Sequence, residues 1–134
     1  MEKIIDYGRF FVTTIGTGLT WLFGKWDTAL YVLIVFMITD YITGLIKGWY
    51  KKKLSSDVGL KGIFRKFLIL LVLMMAVQLD RLLNTGTWVF RTMACYFYIC
   101  NEGLSILENI AVLGLPVPDK IKDTLVQIKD KENK

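Results

Sequence analysis

Four carboxylates lie within or beside the apolar segments of this chain, where an acidic side chain could transfer a proton or bind a cation. They are Asp40, Asp80, Glu102 and Glu108. The sequence has no histidine, no glycine-rich phosphate loop and no serine-centred nucleophile motif, so most catalytic chemistries lack their usual groups. Cys95 and Cys100 have neither the CxxC spacing of a redox pair nor that of a zinc site. We therefore expect no enzyme, no metal site and no cofactor.

The composition indicates one all-α domain in a membrane. Of the 134 residues, 54% are hydrophobic, and the mean hydropathy is +0.45. So short a chain has too little interior to bury this much apolar surface, because the buried fraction falls as domains shrink. The net charge of +5 is concentrated beside apolar runs. Basic residues in that position orient membrane proteins and contact anionic lipid head groups, and we expect no nucleic-acid partner.

A basic segment, residues 47–66, separates the apolar runs 28–46 and 67–83. Each run approaches the roughly 20 residues with which a helix crosses a bilayer. Positive loops between spans stay in the cytoplasm, so we predict two transmembrane helices joined by a cytoplasmic loop, with a soluble helical hairpin as the alternative. The basic residues that set this topology are Lys47, Lys51, Lys52, Lys53, Lys61, Arg65 and Lys66.

The two ends of the chain have amphipathic patterns. Residues 10–26 carry a threonine and glycine stripe opposite an apolar face, without a signal-cleavage site. This segment is short for a full crossing, so we expect a helix on the membrane surface, with insertion as a fourth span the alternative. Residues 116–134 begin at the two prolines of the chain and alternate in charge. They predict a cytoplasmic tail helix that frays towards its end.

Residues 88–113 predict a third transmembrane helix with an unusual polar stripe. Because lipid cannot solvate such a stripe, it must face other helices, other copies of the chain or water. For a chain with so few helices, self-association is the economical solution. The alternative is a helix that leaves the membrane from Asn101 onward. The stripe includes Arg91, Asn101, Glu102, Ser105 and Glu108.

Asp40 is the one charged residue within the run 28–46, and an ionisable group at that depth is a functional candidate. Thr43 and Lys47 share its helical face, so Lys47 is the expected partner. A functional role and simple anchoring of the helix end both remain open. At the far end of the second span, Asp80 and Arg81 are expected to form an ion pair.

Several of these pieces, in this order, resemble a known family. They are TDYITGLIKG (39–48), SSDVGLKGIFRK (55–66), Asp80, and NEGLSILENIAVLGLPVP (101–118) before a charged tail. The chain is similar to the small phage holins of Gram-positive hosts, also called the toxin-secretion/phage-lysis holin family. The resemblance covers the chain from about Trp26 to its end.

The resemblance implies a non-enzymatic pore-former in the bacterial cytoplasmic membrane. Such proteins associate with copies of themselves and open lesions that release an endolysin or, in some relatives, a toxin. The residues expected to line the opening or to hold subunits together are Asp40, Thr43, Arg91, Asn101, Glu102, Ser105 and Glu108. The rival interpretation is a small membrane scaffold that directs the same stripe at a partner and never opens a pore.

Overall fold

The computed structural model describes residues 1–132, which form an all-α structure without a strand in that range. The predicted all-α class is therefore confirmed. Two of the helices are long and apolar enough to cross a membrane, α2 and α3, whereas the third predicted span and the surface position of the first helix stay predictions. The helices are α1 (Glu2–Phe23), α2 (Thr28–Tyr50), α3 (Ser56–Leu82), α4 (Val89–Val112) and α5 (Asp119–Glu132).

Polar caps fix where the two long apolar helices begin. The Asp27 carboxylate accepts a hydrogen bond from the Leu30 amide at 3.1 Å, and the Ser55 hydroxyl accepts one from Val58 at 3.2 Å. Each cap satisfies an amide that the first helical turn leaves unpaired. The short polar side chains of Ser55-Ser56-Asp57 predict a cap for a helix that starts near Val58, and the structure confirms it.

On both sides of the basic segment the helices extend beyond the predicted limits. The expected loop 47–66 is mostly helical, because α2 continues to Tyr50 and α3 begins at Ser56. The true connection is residues 51–55. The first helix also begins and ends earlier than the predicted 10–26.

The other connections are tight. The stretch Asn84-Thr85-Gly86 predicts a turn, and between α3 and α4 the backbone does turn there, through positive φ angles at Asn84 and Gly86. Gly114 (φ 87°) follows the end of α4, where its left-handed conformation suits glycine, and both prolines come next. The reversal lets α5 return along α4.

Helix α4 lies between α2 and α3, which contact each other little. The core that joins the three helices consists of Leu30, Leu33 and Met37 from α2, Ile69 and Leu73 from α3, and Cys95 and Ile99 from α4. Helix α5 packs on α4, and α1 contacts α3 near its own C-terminal end, where the Arg81 guanidinium lies 4.7 Å from the Trp21 ring centroid. The central position of α4 decides which side chains can meet.

The cap at Ser55 gives a direct test of the α3 start. Ser55→Ala should lower the free energy of unfolding by about 1 kcal/mol, because the Val58 amide loses its acceptor. Ser56→Ala, one residue into the helix, should change it by less than about 0.5 kcal/mol. Unfolding in detergent micelles, followed by circular dichroism, measures both. Equal losses in the two variants would contradict the assigned cap.

Candidate functional site

One ammonium group joins three helices in the interior. Lys66 of α3 donates hydrogen bonds through Nζ to Asp40 Oδ2 of α2 and to Glu102 Oε2 of α4. The Glu102 side chain is 0% exposed. Because the ion pairs lie between helices, the triad Asp40–Lys66–Glu102 fixes the rotation and depth of each helix relative to the other two.

A side-chain amide extends this triad towards the end of α4. Asn109 donates through Nδ2 to Asp40 Oδ1 at 3.2 Å and to Thr43 Oγ1 at 3.0 Å. Ser105 also interacts with the Asp40 carboxylate. Residues from the predicted stripe are thus brought together inside one chain, against α2 and α3. Their role as pore lining or inter-subunit contacts stays a prediction.

The expected partner of Asp40 was wrong. The ion pair forms with Lys66 from α3 and not with Lys47 from the same helix. The density of basic residues in 47–66 predicts that Lys66 belongs to the basic loop, yet its side chain is only 13% exposed. A signal was available in the sequence: Lys66 precedes the buried residues Ile69 and Leu73 by three and seven positions, so it shares their helical face.

A second buried cation fixes the opposite end of α4. The Arg91 guanidinium, 2% exposed, donates to both Asp27 carboxylate oxygens at 2.9 and 3.0 Å. It also donates to the carbonyls of Phe23 and Lys25 at 2.6 and 2.7 Å. This bidentate pair matches the planar fork of arginine and leaves few of its donors unpaired. A β-carbon at Gly24, which also has φ 88°, would lie 3.0 Å from Arg91 Nε, so glycine is required there.

Sequence reasoning missed Asp27. It lies just before the first apolar run, a position typical of a helix cap, and nothing in its neighbouring residues points to Arg91 as a partner. In the structure the Asp27 carboxylate caps α2 and also neutralises Arg91. The hydrogen bond from Arg91 holds the pKa of the Asp27 carboxyl below its usual value, against the opposing effect of partial burial.

Asp80 caps the start of α4 instead of pairing with Arg81. Its carboxylate accepts hydrogen bonds from the amides of Phe90 (3.0 Å) and Arg91 (2.8 Å) and from the Thr85 hydroxyl (2.9 Å). The expected Asp80–Arg81 ion pair is therefore wrong. Two amides of the first turn of α4 obtain an acceptor in this way, because the N-cap residue Trp88 supplies no side-chain cap.

The remaining predicted residues lie outside these networks. Glu108 is exposed and Asn101 is half-buried. Lys51, Lys52, Lys53 and Arg65 are exposed, Lys47 is half-buried, and Lys61 is paired with Asp57 on the surface at 2.9 Å. Within residues 1–132 no cluster of cysteine, aspartate and glutamate has the arrangement of a metal site. The arrangement can hold helices together and present charge at a surface.

Comparison with known proteins gives a consistent result. The model of a bacteriophage holin family matches residues 17–130. A probable holin of Bacillus phage phi105 is 42% identical over 106 residues, which cover 78% of this chain and 76% of the relative. An uncharacterised 14.9 kDa protein of Clostridium perfringens is 54% identical over 132 residues, 98% of this chain and 100% of the relative. No solved structure matches the chain. The resemblance read from the sequence motifs is confirmed.

Removing the Lys66 ammonium group should strongly destabilise the fold. Lys66→Met leaves the Asp40 and Glu102 carboxylates buried without their cation, so we expect a loss of about 3–5 kcal/mol in the free energy of unfolding. Lys61→Met, the same change on the same helix, removes only an exposed pair and should cost less than about 1 kcal/mol. Denaturation in micelles distinguishes them, and a similar small loss in both would show that the triad contributes little.

The Asp27–Arg91 pair predicts a pH dependence. A carboxyl whose pKa is lower in the folded chain than its ordinary value of 3.8 stabilises the fold above that pH. This stabilisation is lost as the pH falls through the folded value. Asp27→Asn should therefore lower the melting temperature at neutral pH and reduce the fall of the melting temperature as the pH drops below the ordinary value of 3.8. If the melting temperatures of wild type and variant fall in parallel as the pH drops below 3.8, the assignment is contradicted.

Proposed function

The chain belongs to the bacteriophage holin family, and on that premise we propose that it is a holin that assembles with copies of itself in the host cytoplasmic membrane. The assembly would open lesions through which an endolysin, or a toxin in a secretion setting, leaves the cell. No catalytic step belongs to this function. The chain's own contribution is to insert, to associate and to present a surface that water can wet.

The outward faces of α2 and α3 support insertion. Between Tyr31 and Tyr50 of α2, and between Phe67 and Leu82 of α3, the exposed side chains are all large and apolar, which suits lipid and does not suit water. With both helices spanning, the connection 51–55 and its lysines would lie in the cytoplasm, beside anionic head groups. The exposed apolar residues include Tyr31, Val35, Ile38 and Ile42 on α2, and Phe64, Phe67, Leu68 and Leu71 on α3.

The hydrogen-bond pattern supports α4 as the third span. Arg91 near its start is bonded to Asp27 just before α2, and Asn109 near its end is bonded to Thr43 towards the end of α2. The two helices therefore run side by side through the same depth. If α2 crosses the membrane, α4 crosses with it, and α5 begins on the cytoplasmic side.

The observation that carries the proposal is the difference between the two sides of the bundle. The side formed by α2 and α3 is apolar along most of its length, whereas the side formed by α5 and the end of α4 exposes Glu108 and the charged residues of α5. Charged groups at membrane depth need water, protein or a counter-ion around them. Several copies arranged with their α4–α5 sides together would meet that need and enclose a water-filled opening.

This arrangement divides the predicted site residues into two groups. Asp40, Glu102 and Arg91 are each ion-paired within the chain and would hold each subunit together during assembly. Glu108 and Asn101 are accessible, so we assign them to the opening or to the contacts between subunits. A cavity of about 200 Å³ between α4 and α5 is lined by Glu108 and gives it access to the surface.

Expression of the chain alone in a bacterium, with a co-expressed cytoplasmic endolysin, tests the proposal. Abrupt depolarisation with endolysin release after a delay is expected. Glu108→Leu should abolish or mistime release without reducing insertion, because leucine cannot interact with water in the opening, whereas Glu108→Gln should stay close to wild type. Continued growth with the wild-type chain well inserted would contradict the holin function and favour a scaffold.

A further inference from the structure

Helix α5 folds back along α4 and does not extend away from the bundle. Leu125, 9% exposed, packs against Gly103 in the middle of α4. One turn further on, Lys129 Nζ lies 5.7 Å from the ring centroid of Phe97, which is closer to the start of α4. Helix α5 therefore runs antiparallel to α4 and covers its second half.

This contact lies deep in the bundle. Leu125 packs against Gly103 of α4 and lies close to Phe36 of α2. A β-carbon at Gly103 would lie 2.8 Å from Leu125 Cδ1 and 3.1 Å from Phe36 Cε2. Phe36 is eight residues into α2, or about 12 Å along its axis at about 1.5 Å per residue. In a hydrocarbon layer of about 30 Å, Leu125 would be near the middle.

A docked α5 cannot face lipid. Apart from Leu125, nearly all its described side chains are exposed, and they include Lys120, Lys122, Asp123 and Asp130. Each charge placed in hydrocarbon costs several kcal/mol, and no group on α4 neutralises this outward face. The docked position is therefore compatible with a membrane only where water occupies the space beside α4.

We propose that α5 is a conditional lining of the opening, a conclusion that rests on the proposed function. In the inserted, unassembled chain α5 lies in the cytoplasm, and the α4 face around Gly103, Leu104 and Leu107 is in contact with lipid. When copies assemble and water enters beside α4, α5 folds into the docked position that the structure shows. Its charged face then lines the water-filled space.

The contacts are suited to such a reversible movement. Leu125 is the one fully buried side chain among the described residues of α5, so undocking exposes little apolar surface to water. At the depth of Leu125 the α4 face that undocking uncovers is apolar and suits lipid, with Leu104 and Leu107 beside Gly103, whereas Glu108 on the same face lies near the end of α4. Gly103 has no side chain, which leaves room for Leu125 and gives α5 one defined register.

Crosslinking during lysis tests the inference. Gly103→Cys combined with Leu125→Cys, in a chain with Cys95→Ala and Cys100→Ala, places two thiols across the docked contact. Samples taken after induction are treated with a membrane-permeant oxidant while membrane potential is recorded. The intramolecular crosslink should be absent during the silent phase and appear as depolarisation begins. A crosslink already complete before depolarisation, or absent after it, would overturn the inference.

A pair of single variants tests the same contact with the native cysteines in place. Leu125→Asp should prevent docking and abolish endolysin release, whereas Val126→Asp, on the exposed face of the same helix, should release it at nearly the wild-type time. Equal timing in both variants would overturn the inference and leave the holin function standing. Absence of depolarisation in the wild-type chain would instead reject the proposed function on which the inference rests.

Discussion

A charge in hydrocarbon must have a partner, and the position of Lys66 between Asp40 and Glu102 is how this chain meets that constraint. Each of the three central helices contributes one member, so none can rotate without separating an ion pair. The Arg91–Asp27 pair applies the same solution at the other end of α4. The packing of α4 between two apolar helices depends on these two contacts, because its polar face would otherwise meet lipid or an apolar core.

Satisfying these charges internally leaves a bundle with two unlike sides. One side, formed by α2 and α3, is suited to lipid, and the other, formed by α4 and α5, is suited to water or to more protein. A single subunit with α5 docked cannot satisfy both sides in a bilayer, whereas the proposed ring of subunits can. The mismatch between the two sides would be relieved when subunits associate, so the internal ion pairs favour the assembly that we propose. The chain belongs to the bacteriophage holin family, which is consistent with that proposal.

Local sequence patterns predicted the local structure well. The Ser55 cap, the Asn84–Gly86 turn and the two apolar helices needed only neighbouring residues to identify them. Partners across helices are harder to predict. Charge density places Lys66 in the loop, and only its register with Ile69 indicates a buried position. The return of α5 along α4 depends on the single contact of Leu125 with Gly103, which no periodicity within either helix indicates.

The most direct test of the account is the size of the opening that the purified chain makes without help. The chain would be reconstituted into sealed vesicles containing anionic lipid, loaded with a small dye and with a folded protein of endolysin size. We predict that both cargoes leave together above a threshold ratio of protein to lipid, because the opening forms by assembly. Vesicles that stay sealed although the chain is inserted, or that lose only the dye at every ratio, would contradict it.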